Sequence, residues 1–520
     1  MGDTAKSWQD VAAKKREQRA DKIPAQWRIP AELMPPASAN DVQDFPRTSG
    51  LFTKQELLLT ELTASEVVQK IACGDVTSLE VVNAICKRAA VAQQLINCVT
   101  EIYFDEAFTR AQELDDYFAR ERKTVGPLHG LPISLKDQFN LKGVDTTIGY
   151  VSYANKPASQ NSTLSNVPAT LMMGESVNNV FGRTVNPRNR EVTTGGSSGG
   201  ESALVTFRAS YMGVGTDIGG SIRHPCSYTG LFGLRPTVRS CAGLMCRSVD
   251  DIELFMSSLL QQQPWLHDPQ TLPIPWRRDQ MQLPEKLCFG FAMGDGTVTP
   301  TPPLRKTMEI AKAKLLAAGH SVVDYILYEA AEAVEIITKM WSADAGNEFQ
   351  RDTDAAGEAL HPHLEAWLGR SANMKAQTVK EMWENQHRRA VLAQTFLSRW
   401  ESTKEMTGTG RAIDGLIMPS TPFPVIRHDG GYPWHYGALS PLLDLITGVF
   451  PITKVDLELD SVLEDWEPTT EKDKEVMEYY GKPENHENAL VGLAVIGRRL
   501  EEEKVTAMLR VVNEIVGVDY

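Results

Sequence analysis

The sequence lacks the patterns that mark membrane-spanning and secreted proteins. It contains no run of eighteen apolar residues, so we expect no transmembrane helix. Its beginning, MGDTAK, is polar and charged, unlike a secretory signal, and Lys6 stands where a myristoylation motif needs serine or threonine. We therefore predict a cytoplasmic protein.

Cysteine is sparse and shows no paired spacing. The chain has 7 cysteines, with no Cys-x-x-Cys motif and no accompanying histidine pattern. We expect reduced thiols in a reducing compartment and no structural zinc. His361 and His363 flank Pro362, but this spacing matches no metal motif, so we predict surface histidines, no bound metal and no cofactor.

Dense runs of lysine and arginine are missing outside the N-terminal region. The 53 basic and 67 acidic residues give a net charge of −14, which would repel phosphate backbones and anionic lipid. This balance argues against nucleic acid as a partner.

A hydrophobic content of 42% is enough for a sizeable core. The oligomeric state stays open, with a homodimer among the alternatives.

Glycine is concentrated in one place. The stretch from Thr193 to Thr237 holds ten of the 38 glycines, in two clusters around serines, GGSSGG at 195–200 and GGS at 219–221. Glycine permits positive φ and close backbone approach, so each cluster predicts a sharp bend. A flexible linker is one interpretation of GGSSGG, but an apolar run and a second glycine cluster follow it. A phosphate-binding loop fits poorly, because no lysine follows the glycines and GxGxxG is absent.

The residues GGSSGGE and GVGTDIGGSIRHP resemble the signature of the amidase signature family of serine hydrolases. Other pieces of the chain resemble the acetamidase branch of that family over nearly the full length. The resemblance implies an α/β fold in which a large mixed twisted β-sheet is flanked by helices on both faces. It implies an N-terminal helical arm and linker at residues 1–50 and an amidase domain at residues 51–520, with the signature core at about 125–240.

The same resemblance implies roles for individual residues. Ser221 would be the nucleophile that forms an acyl-enzyme, and Ser197 would be a bridging serine preceded by a cis peptide bond. The segment GPLHGLPISLKD at 126–137 matches the part of the family that carries the catalytic lysine, which here is Lys136. The oxyanion hole would be formed by consecutive backbone N–H groups, those of Ile218, Gly219, Gly220 and Ser221.

Lys136 by itself allows a second interpretation, because a lysine at the end of a short apolar strand is more often solvated. A lysine can act as a base only if its pKa falls from about 10.4 toward neutrality. The role implied by the resemblance therefore requires Lys136 to be buried and neutral. Asp217 and Arg223 bracket Ser221, and we predict that they hold its loop by hydrogen bonds.

Local patterns predict several further elements. Two capping-box spacings, Thr63 with Glu66 and Thr77 with Glu80, each predict the start of a helix. The β-branched and aromatic residues from Val99 to Phe104 predict a strand.

The resemblance implies hydrolysis of a carboxylic acid amide to the acid and ammonia or an amine. Small aliphatic amides such as acetamide are the first expectation, and longer-chain (fatty-acid) or aryl amides are the alternatives. Leu171 matches an acyl-pocket position of the family. Together with the aromatic loop from Tyr432 to Tyr436 it predicts an apolar pocket for a small-molecule amide.

Two segments of the family pattern are missing. Lys136 and Ser197 lie 61 residues apart, fewer than in typical relatives, and the missing helix and core strand would follow Leu164. A second shortening follows Thr237, where Val238 to Met245 replaces a longer substrate-side loop. These omissions support a second hypothesis, a weakly active or inactive homologue of an amidase.

Overall fold

The computed structural model describes residues 7–159, 167–237, 241–365, 375–430, 435–463 and 466–517. A mixed sheet of nine strands runs through the middle of the molecule. Its strands are β1 (Ser134–Leu135), β6 (Met212–Asp217), β7 (Phe232–Arg235), β8 (Cys241–Cys246), β9 (Cys288–Phe291), β10 (Ser321–Asp324), β11 (Gly415–Pro419), β12 (Thr447–Lys454) and β13 (Leu490–Ile496). Two small hairpins lie outside it, β2 (Val177–Asn178) with β3 (Gly182–Arg183) and β4 (Val185–Asn186) with β5 (Asn189–Thr193).

The helices are distributed along the whole chain. They are α1 (Trp8–Asp21), α2 (Phe45–Thr48), α3 (Lys54–Glu61), α4 (Ala64–Cys73), α5 (Ser78–Ile96), α6 (Phe104–Glu121), α7 (Gly199–Thr206), α8 (Arg223–Thr229), α9 (Val249–Gln261), α10 (Pro302–Ala317), α11 (Ala330–Trp341), α12 (Asn347–Asp354), α13 (Val379–Ser402), α14 (His435–Leu443), α15 (Glu471–Tyr480) and α16 (Glu502–Val516). None of the described helices is both long enough and apolar enough to cross a membrane.

The strand order of the sheet is β1-β6-β8-β7-β12-β13-β11-β9-β10. β1 runs parallel to β6, β9 is parallel to both β10 and β11, and the remaining neighbours are antiparallel. The mixed sheet implied by the resemblance is therefore confirmed. Among the described residues, the two-residue strand β1 has a partner on one side only, so the edge of the sheet lies directly beside Lys136.

Helices cover both faces of the sheet, and β13 illustrates the consequence. Leu493 and Val495 pack in one core cluster with Met508 of α16, while Ala494 between them packs in a second cluster with Val205 of α7. A strand buried on both faces carries a continuous apolar run instead of an alternating one. This explains why the entirely buried segment LVGLAVI is apolar throughout.

Both predicted capping boxes are present, and a further capping box starts the first helix. Ser7 and Asp10 form a capping box at the start of α1, and Ala12 packs with Val151 and Phe181 of the main body. The predicted boxes also start α4, with Thr63 as N-cap, and α5, with Thr77 as N-cap. Side chains that accept from exposed backbone N–H groups thus fix where these helices begin.

The predicted strand from Val99 to Phe104 is wrong. Side chains rather than a neighbouring strand satisfy this backbone: the Val99 N–H donates to Gln93 Oε1 at 2.7 Å, and the Val99 carbonyl accepts from Arg19 Nη1 at 2.6 Å. Phe104 already begins α6. These residues favour a strand, but no neighbouring strand is available to pair with this segment.

The segment from Val238 to Met245, where a longer loop of the relatives is replaced, is largely a strand. Most of it forms β8, which lies between β6 and β7 in the sheet, and Met245 is buried. Residues 238–240 lie outside the described part of the chain, as does Leu164, after which the first omission was placed.

Candidate active site

The site begins where β1 ends. Leu135 pairs with Val214 of β6, and the Lys136 N–H donates to the Val214 carbonyl at 3.1 Å. This register directs Lys136 into the interior, and its side chain is fully buried. The alternative of a solvated strand end is therefore wrong.

Lys136 is surrounded by hydroxyl groups. Its Nζ donates to Ser197 Oγ at 2.6 Å and to Thr216 Oγ1 at 2.7 Å, and Thr216 in turn donates to Gln138 Oε1 at 2.6 Å. Burial lowers the pKa of Lys136 to about 7, although the charges of Asp217 and Glu201 oppose this fall. A large part of the Lys136 population is therefore neutral near pH 7 and can accept a proton.

Ser197 lies in the first glycine-rich bend, and the peptide bond between Gly196 and Ser197 is cis. Its hydroxyl is almost fully buried and faces Lys136. The Ser176 hydroxyl supports this bend by accepting from the Gly199 N–H at 3.1 Å and donating to the Gly195 carbonyl at 3.3 Å. The Ser198 N–H donates to the Ser221 carbonyl at 3.2 Å, which joins the two glycine-rich bends.

Ser221 is partly exposed and lies two residues before α8. The turn that presents it is built around Asp217, which accepts from the Gly220 N–H at 2.8 Å and the Ile222 N–H at 3.1 Å. Arg223 adds a two-point contact, with Nε and Nη2 each 3.0 Å from an Asp217 oxygen. These contacts confirm that Asp217 and Arg223 hold the loop by hydrogen bonds.

Asp217 is fully buried, so burial alone would raise its pKa. The guanidinium of Arg223, the nearby charge of Arg235 and the Gly220 N–H outweigh this effect and hold the pKa of Asp217 well below its ordinary value. The carboxylate stays ionised, and its charge-assisted hydrogen bonds fix the turn.

The four predicted oxyanion groups are not equivalent. The Gly220 N–H is engaged with Asp217, whereas the N–H groups of Ile218, Gly219 and Ser221 donate to no other described residue. Ile218 is partly exposed at the start of the turn. Three of the four predicted N–H groups can therefore donate to a substrate oxygen.

Glycine is required at Gly220, and a side chain at Gly219 would have to displace its neighbour. Gly220 has φ +122°, and a Cβ there would lie 2.0 Å from Cε1 of His224. A Cβ at Gly219 would lie 2.6 Å from Cη2 of Trp341, the last residue of α11. The indole of Trp341 therefore lies directly against the turn that carries Ser221.

Sequence reasoning missed three residues of the site. Thr216 is in the signature and its hydroxyl contacts Lys136, but the sequence pattern does not distinguish it from a structural residue. Ser176 and Trp341 lie outside the signature, and only the fold brings them to the glycine-rich bends. No local signal in the sequence would have identified either residue.

The acyl-pocket prediction is only partly described by the structure. Leu171 ends a short 3-10 turn with φ +63° and is partly exposed, and its pocket role stays a prediction. Tyr436 is buried, and its hydroxyl donates to the Val298 carbonyl at 2.7 Å, so it is a core residue. The rest of the predicted aromatic loop, 432–434, lies outside the described residues, and residue 435 is described only as the start of α14.

The prediction that His361 and His363 are surface residues is wrong. Both are half-buried, and their rings contact each other with centroids 5.0 Å apart. His363 also approaches the carboxylates of Glu175 and Asp429. These three side chains form a group of potential metal-binding atoms among the described residues.

Comparison with known proteins shows the family of this chain. Residues 80–506 match the family described as Amidase. The chain is 60% identical to "Putative amidase kk1C" of Curvularia clavata, covering 99% of this chain and 100% of that protein. It is 38% identical to the acetamidase of Emericella nidulans, with 98% of each chain covered. The structure of a fatty acid amide hydrolase superposes with a TM-score of 0.90 at 31% identity, covering 99% of this chain and 96% of that one.

The chain therefore belongs to the amidase family. It is an amidase, a hydrolase that acts on linear amide C–N bonds. The alignments with kk1C and with the Emericella acetamidase each extend over 549 positions, more than the 520 residues of this chain. They therefore contain gaps, which agrees with the shortening inferred from the sequence.

Proposed function

We propose that this amidase uses Lys136, Ser197 and Ser221 to form and hydrolyse an acyl-enzyme. The observation that carries the proposal is the 2.6 Å hydrogen bond from the fully buried Lys136 to Ser197, combined with a lysine pKa lowered to about 7. An amine in this state is a base matched to neutral pH.

The proposed reaction has two stages, acylation of Ser221 and hydrolysis of the acyl-enzyme. Ser221 Oγ attacks the amide carbon while its proton passes to Ser197 Oγ, and the Ser197 proton passes to the neutral Lys136 Nζ. The tetrahedral intermediate collapses when the C–N bond breaks, and the departing nitrogen takes a proton back through Ser197. Water then attacks the ester of Ser221 by the same proton route and releases the carboxylic acid.

The negative charge on the substrate oxygen needs fixed donors. The N–H groups of Ile218, Gly219 and Ser221 suit this role because no other described residue accepts from them. In the present geometry the Gly220 N–H stabilises the turn through Asp217, so we assign it a supporting role. Preorganised donors of this kind are usually the largest single contribution to acyl-transfer catalysis.

We propose small aliphatic amides such as acetamide as substrates. The likeness to an acetamidase at 38% identity supports this class, whereas the likeness to a fatty acid amide hydrolase supports longer amides as the alternative.

The proposed nucleophile can be tested with a fluorophosphonate probe, which reacts with an activated serine. We expect labelling of the wild-type chain and none of Ser221→Ala. Ser227→Ala is a matched control, because Ser227 is a buried serine of α8 to which we assign no role in the reaction. Equal labelling of wild type and Ser221→Ala would disprove the assignment.

The rival function is a weakly active homologue, and the edge position of β1 favours it. A missing core strand removes several buried apolar side chains, each contributing about 1.5 to 3 kcal/mol, from a total stability of about 5 to 15 kcal/mol. We expect a variant with a helix and strand inserted after Leu164 to melt at a higher temperature and to turn over acetamide faster than the chain as it stands. Equal melting temperatures and equal turnover in the two proteins would contradict the hypothesis of a weakly active homologue.

A further inference from the structure

Three of the chain's 10 histidines gather on one side of the Ser197 bend, together with two carboxylates. The carboxylates are Glu175, which is buried, and Asp429, whose side chain is 63% exposed. The histidines are His361, His363 and His428. None of these side chains has a role in the proposed reaction.

His363 lies at the centre of the group. Its Nε2 atom is buried and makes no hydrogen bond with the described residues. Nevertheless, Asp429 Oδ1 lies 3.2 Å and Glu175 Oε2 lies 4.0 Å from it. One oxygen from each carboxylate and this nitrogen all lie within 4.8 Å of one another.

These distances fit a metal ion. Bonds of about 2.0 to 2.2 Å to zinc in tetrahedral geometry place ligand atoms about 3.3 to 3.6 Å apart. The 3.2 Å separation of His363 Nε2 from Asp429 Oδ1 is close to this spacing, and Glu175 Oε2, at 4.0 Å from the nitrogen, would have to move closer. We propose that Glu175, His363 and Asp429 bind a divalent transition metal ion of the zinc type, a function beyond amide hydrolysis.

Neighbouring groups hold the Glu175 carboxylate in place. Arg183 Nε lies 2.9 Å from Glu175 Oε1, and His428 Nδ1 contacts the same oxygen. The Asp429 N–H donates to Glu175 Oε2 at 3.1 Å and leaves that oxygen with a second lone pair for a metal. Metal ligands are commonly oriented by such outer hydrogen bonds.

Charge and access also suit a divalent cation. Two carboxylates, Glu175 and Asp429, face one guanidinium, that of Arg183, which contacts both. The carboxylate oxygens attract a cation, and an imidazole nitrogen in the donor set favours zinc over magnesium or calcium. The exposed side of Asp429 gives the ion access from solvent.

The site lies close to the proposed catalytic serine without being part of it. Glu175 directly precedes Ser176, whose hydroxyl holds the Ser197 bend. No step of amide hydrolysis passes through His363 or Asp429, so metal binding and acylation of Ser221 should be separable.

The test is calorimetric titration of the full chain, first stripped with a chelator, with zinc chloride. We expect one zinc ion per chain and a higher melting temperature when zinc is present. His363→Ala and Asp429→Asn should each bind zinc at least about tenfold more weakly and lose the shift in melting temperature. Asp429 is exposed, so its variant should fold even if the His363 variant does not.

Two controls locate the ion. His267→Ala removes an exposed histidine and should leave the affinity unchanged. Ser221→Ala should also bind zinc like wild type, which would separate this site from the proposed active site. The absence of stoichiometric binding, equal affinity in Asp429→Asn, or loss of binding in Ser221→Ala would each overturn the proposal.

Discussion

Lys136 and Asp217 are both fully buried ionisable residues, and they lie at the ends of the adjacent strands β1 and β6. Their surroundings differ in one respect. Lys136 donates to the hydroxyls of Ser197 and Thr216, whereas Asp217 is paired with two arginines and accepts from backbone N–H groups.

This difference determines which of the two residues keeps its charge. Burial without a carboxylate in contact lowers the pKa of Lys136 to about 7, while the arginines hold the pKa of Asp217 well below its ordinary value. Two buried ionisable side chains at the ends of adjacent strands, 81 positions apart in the sequence, are thus driven in opposite directions by their contacts. The lowered pKa of Lys136 suits its proposed role as a base, whereas the Asp217 carboxylate holds the turn.

The largest expected effect is on activity in Lys136→Met. Methionine fills a similar volume without an amine, so the fold should be kept while the proposed base is lost. We expect kcat/KM for acetamide to fall by about 10²- to 10⁴-fold, the usual contribution of general base catalysis, with an unchanged or higher melting temperature. Lys380→Ala is the control, because that side chain is 84% exposed, and it should retain full activity. Retained activity in Lys136→Met would contradict the proposed role.

The corresponding change at the other residue, Asp217→Asn, should act mainly on stability. It removes the charge partner of the buried Arg223 and Arg235, and breaking a buried ion pair in this way costs about 3 to 5 kcal/mol. Chemical denaturation measures the loss. In the control Asp324→Asn, an exposed ion pair with Lys312 is broken, and we expect a loss of about 0 to 1 kcal/mol. Equal losses in both variants would mean that the arginines do not depend on Asp217.

A third variant, Thr216→Asp, would place a carboxylate in contact with Lys136. In the wild type, Lys136 is protonated below its pKa of about 7 and cannot accept a proton, so kcat/KM should rise with pH through about 7. A carboxylate in place of the Thr216 hydroxyl, 2.7 Å from Nζ, favours the charged amine. We expect the midpoint of the pH profile to move upward by about 1 to 3 units.

Thr216→Val is the matched control for this shift, since it removes the hydroxyl without adding charge. Its midpoint should stay well below that of Thr216→Asp. An identical pH profile in wild type and Thr216→Asp would show that the titrating group is not Lys136.

Much of the fold could be predicted because its signals are local. The capping boxes at Thr63 and Thr77 are formed by residues three positions apart, and helix ends follow from them directly. The strand from Val99 failed because strand formation needs a neighbouring edge, which a local pattern does not report. The surface prediction for His363 failed for a similar reason, because its carboxylate neighbours come from distant parts of the chain.

The sequence by itself determined the two glycine-rich bends, the serines within them and the place of Lys136 at the end of a strand. These features depend on residues close together in the chain and on backbone conformations that glycine permits. Only the tertiary structure decided that Lys136 is buried against Ser197, 61 residues away, and that Asp429 reaches Glu175 across 254 residues. Burial and charge pairing set the pKa values of such groups, and both are properties of the packed fold, to which distant segments contribute.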